Sequence, residues 1–145
     1  VMGRVLDEEC RPVQGARLEL WQANVVGRYR HVADTNPAPL DPNFEGYAVL
    51  TTDSEGRYQF KTIKPGAYML SKTDWRTPHI HFDVMGKHSR IITQTYFPGE
   101  PLNSKDRIFQ ETEGRETLIA KILPPTKDVE PDARLAVWDI VLLRG

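Results

Sequence analysis

The stretch Thr73–Phe82 reads T-D-W-R-T-P-H-I-H-F and places two histidines, His79 and His81, two positions apart. Pro78 favours an extended backbone for the residue before it. Side chains alternate between the two faces of a strand, so both imidazoles point to the same side. Two imidazoles one pleat apart can bind a single metal ion, or they can be structural histidines packed in a β-sandwich. The stretch therefore predicts a strand and leaves both interpretations of its histidines open.

Length and composition predict one folded domain covering residues 1–145. The chain is 39% hydrophobic and 27% charged, which is typical of a folded domain and not of a disordered chain. Its net charge of -1 gives no reason to expect a nucleic-acid or membrane-surface partner. No apolar run approaches the ~20 residues that a membrane helix needs. The single Cys10 excludes an internal disulfide and favours a reducing, cytoplasmic compartment.

Prolines and glycines separate short β-rich runs, which predicts an all-β fold, either a sandwich or a barrel. One short helix is expected near the C-terminus, over Gly114–Leu123, because its apolar residues recur at helical spacing. The last strand is expected to be apolar and buried on both faces. The predicted strands are Met2–Leu6, Gly15–Gln22, Tyr47–Thr52, Arg57–Thr62, Ala67–Leu70, Pro78–Val84, Arg90–Phe97 and Arg134–Leu143.

A long segment without periodicity, Ala23–Gly46, interrupts these strands. Loops of this length inside a small domain are usually functional or disordered, and the aromatic and charged residues of this one favour function. Two tyrosines stand out by their context: Tyr29 lies inside the loop, and Tyr68 follows the Pro65-Gly66 turn. The remaining tyrosines fit strand packing and two histidines have no partner motif; these are Tyr47, Tyr58, Tyr96, His31 and His88.

Ordered blocks run along nearly the whole chain: G-R-V-L-D, P-V-Q-G-A-R-L-E-L-W-Q-A-N, G-R-Y-R-H, A-P-L-D-P-N-F, T-D-S-E-G-R-Y-Q-F-K-T-I-K-P-G-A-Y, W-R-T-P-H-I-H-F, I-I-T-Q-T-Y-F-P-G and D-I-V-L-L-R-G. In these blocks the sequence resembles the intradiol ring-cleaving catechol dioxygenases, in particular the protocatechuate 3,4-dioxygenase branch. The resemblance implies an all-β fold, a β-sandwich of mainly antiparallel strands with long active-site loops, and a non-haem Fe(III) held by two tyrosinates and two histidines. The corresponding residues here are Tyr29, Tyr68, His79 and His81. Residues implied around the substrate are Trp21, Arg76 and Gln94.

The resemblance also implies a reaction in which a catechol and O2 give a cis,cis-muconate-type diacid by cleavage between the two hydroxylated carbons. Tyr68 would leave the metal and take up a proton, and Arg76 would stabilise negative charge on the ring. Phenolate and imidazole ligands suit a ferric ion, and two phenolates with one hydroxide balance its charge. Relatives assemble from one kind of chain or from unlike chains, so a homo-oligomer and a hetero-oligomer with a related chain both remain open.

Two other metal sites compete with this assignment. Asp83 continues the alternation of His79 and His81, and the three mimic a two-histidine, one-carboxylate Fe(II) site. Residues four apart on a strand are separated by ~13 Å, so the convergence of all three on one ion is strained. Zinc is disfavoured, because no cysteine or carboxylate completes a familiar zinc set.

A non-enzymatic function is the second hypothesis, because several of the blocks also resemble transthyretin-like or carboxypeptidase-regulatory-like β-sandwich modules. A plain binding module needs neither the long loop nor the paired histidines. Within the dioxygenase interpretation, the protocatechuate branch usually has a Trp-Arg pair shortly after the second tyrosine, where this chain has Met69-Leu70-Ser71-Lys72. Recognition of a substrate carboxylate then falls to another cation, for which Lys72 and Arg28 are the candidates.

Overall fold

The computed structural model describes residues 1–127 and 129–143, so Asp128, Arg144 and Gly145 of the expected domain lie outside the described residues. The strands, in chain order, are β1 (Met2–Asp7), β2 (Arg17–Trp21), β3 (Tyr47–Thr51), β4 (Arg57–Gln59), β5 (Tyr68–Met69), β6 (Trp75–Arg76), β7 (His79–Met85), β8 (Arg90–Tyr96), β9 (Lys121–Leu123), β10 (Leu135–Val137) and β11 (Ile140–Leu142). One α-helix, α1 (Arg107–Glu111), lies between two 3-10 helices, Pro101–Ser104 and Arg115–Leu118.

Two sheets form the framework. The first has β1 at its centre, with β4 antiparallel to it and β10 and β11 parallel to it, and β9 extends the sheet beyond β10. The second is fully antiparallel in the order β3-β2-β7-β8. The strands β5 and β6 form a separate two-stranded ribbon. Most pairings are antiparallel, as predicted.

The core of the molecule lies between the two sheets. Phe82 of β7 has no exposed surface, and its ring packs against those of Tyr58, Phe60 and Trp138 at centroid distances of 5.9, 6.1 and 5.1 Å. Leu18 of β2 is likewise fully buried in this cluster. Because β7 alternates, its apolar residues fill the core while its histidines lie on the opposite face. The predicted all-β sandwich is therefore confirmed.

The predicted helix over Gly114–Leu123 is wrong in its position. Only Arg115–Leu118 turns, as a 3-10 helix, and the segment then becomes β9, where Leu123 pairs with Leu135. The apolar spacing was misleading because Ile122 and Leu123 serve a sheet edge and remain 39% and 46% exposed. The α-helix begins earlier, at Arg107, where the side chain of Asp106 accepts a hydrogen bond from the N–H of Phe109.

The predicted strand over Arg134–Leu143 is two short strands, β10 and β11, with a break at Trp138–Asp139. It is not buried on both faces, since Val141 is 44% exposed between the buried Ile140 and Leu142. The long loop is confirmed: residues 22–46, all of them described, contain no helix or strand. Within the described ranges, none of the helices has the length and apolar character required to cross a membrane.

Candidate metal centre

The two histidines of β7 share one face of their strand, as predicted, and that face is turned away from the core between the sheets. His79 is 2% exposed, and its Nδ1 lies 2.6 Å from the carbonyl oxygen of Thr77. A carbonyl can only accept, so Nδ1 carries the proton and the lone pair of Nε2 is free. That Nε2 lies 3.1 Å from Nε2 of His81. Trp21 of β2 lies opposite His81 of β7, and the two rings stack with a centroid distance of 4.8 Å and an interplanar angle of 2°.

Close backbone packing brings the long loop against the start of β5. Gly27 has φ of 79°, and a Cβ there would lie 2.3 Å from the carbonyl oxygen of Ala67. A Cβ on Gly66 would lie 2.3 Å from the carbonyl oxygen of Val25. Real side chains cannot occupy either position without moving backbone, so only glycine permits this approach. The contact carries Tyr29 to within reach of Tyr68.

The buried Asn24 holds this turn of the loop in place. Its Oδ1 accepts hydrogen bonds from the N–H groups of Val26 and Arg28 at 3.1 and 3.0 Å. Its backbone carbonyl accepts from the N–H of Gly66 at 2.8 Å. One side chain and its own peptide therefore tie the segment before Tyr29 to the segment before β5.

The two tyrosines meet at the histidines. The Oη atoms of Tyr29 and Tyr68 each lie 3.4 Å from Nε2 of His79, and the two phenol rings pack edge to face at 5.3 Å. Two phenol oxygens and the Nε2 atom of His81 thus lie 3.1–3.4 Å from Nε2 of His79. Metal–ligand bonds of ~2.1 Å place neighbouring donors ~3.0–3.4 Å apart in octahedral or tetrahedral geometry. The donor set and its spacing fit one metal ion.

Protonation in the metal-free cluster follows from burial. Burial, followed by the charge of Arg76 and the neighbouring His81, holds the pKa of His79 well below its usual value. Burial and Arg76 lower the pKa of His81 to about 4, so both imidazoles are neutral at pH 7 and able to act as ligands. Burial raises the pKa of Tyr29, and the neighbouring Tyr68 adds to the effect. A bound multivalent cation reverses this last effect, because it stabilises phenolate.

The rival carboxylate site does not form. Asp83 accepts two hydrogen bonds from Arg90, at 2.9 and 2.6 Å, and lies within an ion pair. Among the described residues, no three His, Cys, Asp or Glu side chains come together as a metal-binding group. A centre at His79 and His81 therefore depends on the tyrosine oxygens beside them.

A buried polar network lies behind the histidines. The side chain of Arg76 is 5% exposed and donates from Nε to Oδ2 of Asp106 at 2.9 Å. Its Nη2 donates to Oε1 of Gln94 and, at 3.3 Å, to Oη of Tyr96. Burial lowers the pKa of Arg76, but the hydrogen bond and charge of Asp106 outweigh it and the pKa lies above its usual value. Arg76 is therefore a fixed buried cation, and Gln94 lies in register with His81 on the next strand.

An open cleft of about 1120 Å³ leads to the cluster. Its walls include Trp21, Tyr29, Tyr68, Trp75 and His81, so Trp21 lies where it was predicted. The lining does not include the side chains of the predicted substrate residues Arg76 and Gln94, which lie behind the cluster. It also includes neither Lys72 nor Arg28. Among the described residues, Arg30 is the one Lys or Arg that lines the cleft.

Sequence reasoning missed two members of the buried network, Asp106 and Tyr96. Asp106 precedes a helix start, and that local signal is visible, but nothing in the sequence links it to Arg76 thirty positions earlier. Tyr96 was interpreted as a packing residue because it lies in a regular strand. Its role depends on strand register, which places it opposite His79.

Comparison with known proteins places the chain in a family. Residues 1–144 match the family described as Dioxygenase. The chain is 49% identical to the protocatechuate 3,4-dioxygenase beta chain of Burkholderia cepacia, over 98% of this chain and 63% of that protein. It is 30% identical to hydroxyquinol 1,2-dioxygenase of a Rhizobium species, over 75% of this chain and 40% of that protein. The chain thus spans less than two thirds of the length of these relatives.

Solved structures agree. The dioxygenase domain of a dioxygenase–carbohydrate-binding fusion from Streptomyces sp. SirexAA-E superposes with a TM-score of 0.70 at 28% identity, covering 99% of this chain and 78% of that one. Catechol 1,2-dioxygenase from Pseudomonas arvilla C-1 superposes with a TM-score of 0.77 at 25% identity, covering 99% and 51%. The family match and the shared fold place the chain in a class of dioxygenases. The chain belongs to the intradiol dioxygenase family, in its protocatechuate 3,4-dioxygenase-like branch. Non-haem iron is the metal expected for this family.

Proposed function

We propose that residues 1–145 form one catalytic domain that binds a non-haem Fe(III) and opens the ring of a catechol with O2. Its metal ligands are Tyr29, Tyr68, His79 and His81. The observation that carries the proposal is the approach of three oxygen and nitrogen donors to within 3.4 Å of Nε2 of His79. Catechol and O2 combine without loss of atoms: the bond between the hydroxylated carbons breaks, and each carbon gains one oxygen to become a carboxyl group.

Each residue has a distinct task in this reaction. When bound, the ferric ion draws electron density from the catechol ring and makes it reactive toward O2. His79 and His81 are neutral at pH 7, as ligands must be. Tyr68 lines the cleft, and as a phenolate its Oη would take up a proton from a catechol hydroxyl. Arg76 supplies a buried positive charge that is poorly screened by water and stabilises negative charge developing on the ring.

The substrate we favour is catechol or a catechol with a neutral substituent. The wall beside the second tyrosine is apolar, formed by Met69, Leu70 and Trp75. Asp34 and Glu45 line the cleft together with Arg30, so the described lining carries no excess of positive charge for a substrate carboxylate. Protocatechuate then requires either Arg30 or a cation from another chain.

An assembly with a second chain is part of the proposal. One relative is named as a beta chain, which implies an assembly with an alpha chain. The open cleft leaves room for a second chain, of the same or a related kind, to cover the substrate. The competing proposal, a plain β-sandwich binding module, offers no reason for a buried histidine pair with two phenols against it.

Iron loading and oxygen uptake test the proposal together. Purified protein supplied with iron is analysed for metal per chain, for a visible phenolate-to-iron absorption band and for O2 consumption with a panel of catechols. We expect about one iron per chain, a red to burgundy colour and O2 uptake with catechol. Stoichiometric zinc without a visible band, or iron-loaded protein that consumes no O2 with any catechol, would overturn it.

A further inference from the structure

Asp106 is a buried carboxylate that the reaction scheme above does not use. It has no exposed surface, and both of its oxygens are occupied. Oδ1 accepts from the N–H of Phe109 at 3.0 Å and so begins helix α1. Oδ2 accepts from Nε of Arg76 at 2.9 Å and from the N–H of Thr77 at 3.0 Å. Starting a helix requires only the first of these bonds, so Oδ2 needs a separate explanation.

The bonds of Oδ2 reach the candidate metal centre by two routes. Through Nε it fixes the guanidinium of Arg76, whose Nη2 donates to Gln94 beside His81. Through Thr77 it fixes the residue whose carbonyl oxygen accepts from Nδ1 of His79 at 2.6 Å. Thr77 itself has no exposed surface, so it has little freedom to move.

The charge of Asp106 also matters, because Arg76 is buried beside it. An ion pair with side chains 5% and 0% exposed is poorly screened, and removing the carboxylate leaves a cation without its counter-charge. That cation is the group proposed to stabilise negative charge on the ring. Its position and its effective charge therefore both depend on Asp106.

We propose that Asp106 is a positioning residue for ring cleavage: it sets the place and the effective charge of Arg76 and, through Thr77, the orientation of the His79 imidazole. This inference rests on the proposed function of the cluster. Such residues behind a metal site typically change metal affinity or activity by about 10–100-fold when replaced.

The test compares Asp106→Asn with the parent, with Arg76→Gln and with the double variant, all loaded with iron. Asparagine keeps the shape and still caps a helix, but one carboxylate oxygen becomes an NH2 group that cannot accept. We expect kcat to fall about 10–100-fold with KM changed less than about 3-fold, and the visible band to shift at equal iron content. In the Arg76→Gln background, Asp106→Asn should lower kcat by a smaller factor than it does in the parent, because the route through Arg76 is already lost and only the route through Thr77 remains.

The matched control is Asp53→Asn, which also removes a carboxylate that accepts hydrogen bonds from two backbone N–H groups. Asp53 lies in an exposed turn that contains none of the site residues. The Asp53→Asn variant should leave kcat and the band unchanged. If Asp106→Asn has a normal kcat and a normal visible band, the inference is wrong, and the proposed function still stands because the parent protein is active. If the parent protein itself is inactive and colourless, the proposed function is wrong. If Asp106→Asn does not fold, Arg76→Gln and the double variant decide the matter, and a further kcat loss above about 10-fold in the double contradicts the inference.

Discussion

At the scale of single residues, the chemistry of the candidate metal centre depends on two neutral imidazoles and two phenol oxygens that lie close together. His79 has its proton fixed on Nδ1 by the Thr77 carbonyl, and its Nε2 faces His81 and the two tyrosines. These donors lie close enough together to bind one metal ion, and the residues around them can be tested one at a time.

Replacing His81 should remove the metal. His81→Ala deletes one nitrogen donor, and the carboxylate on the same strand, Asp83, is paired with Arg90. We expect iron content and the visible band to be lost, as measured by metal analysis and absorbance. The control is Asp83→Asn, which breaks the Arg90 pair on the same strand. Iron that is lost in Asp83→Asn and retained in His81→Ala would contradict the ligand assignment.

Stability of the metal-free protein should fall with acid in the range set by His81. Its pKa is lowered from the usual 6.5 to about 4, so between these pH values the unfolded chain binds a proton that the folded chain does not. The free energy of unfolding therefore decreases as the pH falls from about 6.5 toward 4. Urea unfolding at several pH values should show a shallower decrease for His81→Gln, whose side chain does not titrate. Equal slopes in the two proteins would refute this.

The sequence carries different amounts of information about these residues. The shared face of His79 and His81 follows from strand alternation, and the structure has it. The partner tyrosines could be named only by resemblance, because Tyr29 and Tyr68 are 39 positions apart and meet through loop packing. Asp106 was out of reach, since its bond to Arg76 depends on how α1 packs against β6.

At the scale of elements, the contact between the long loop and β5 builds the site. Gly27 and Gly66 allow the two backbones to touch, and Asn24 bonds across the contact. The sequence predicted a functional loop and a turn before Tyr68. It could not predict their contact, because a glycine shows where backbone can approach but not which backbone does so. The misplaced helix at Gly114–Leu123 has a similar origin, since an apolar pattern does not reveal its packing partner.

Gly66→Ala should disturb the site by pushing these two elements apart. The new Cβ would lie 2.3 Å from the Val25 carbonyl oxygen and 2.7 Å from the Gly27 nitrogen. We expect a loss of about 1–3 kcal/mol in unfolding free energy, measured by urea denaturation, together with weaker iron binding. Gly15→Ala is the control for lost stability alone: its φ of 73° disfavours alanine, but nothing lies within 4 Å of a Cβ there, so iron binding should not change. Iron affinity unchanged in Gly66→Ala would contradict the role of this contact.

Arg30, on the loop wall of the cleft, should distinguish charged from neutral substrates. Its guanidinium donates to the carbonyl oxygen of Asp41 at 2.7 Å and is exposed. An exposed charge contributes little, so Arg30→Gln should raise KM for protocatechuate only about 2–5-fold and leave KM for catechol unchanged. Steady-state oxygen uptake measures both. Arg57→Gln, in the other sheet, is the control, and an equal change for both substrates in Arg30→Gln would exclude a role in carboxylate recognition.

At the scale of the whole molecule, the sandwich supplies a rigid wall and the loops supply an open cleft. The fold class could be predicted because short strands punctuated by proline and glycine leave few architectures available. The division of the last strand into β10 and β11 could not, because it depends on how Trp138 packs on Phe82 between the sheets. The chain also spans only part of the length of the relatives it matches.

The absorption spectrum of the product from catechol tests the central claim most directly. A cluster of two phenols and two imidazoles stabilises Fe(III), which activates the ring, so cleavage should occur between the hydroxylated carbons. Iron-loaded protein incubated with catechol in air, without added ferrous iron or reductant, should give a colourless cis,cis-muconate with absorption only in the ultraviolet. A yellow semialdehyde, or turnover that requires ferrous iron, would show that the tyrosines do not define the metal site.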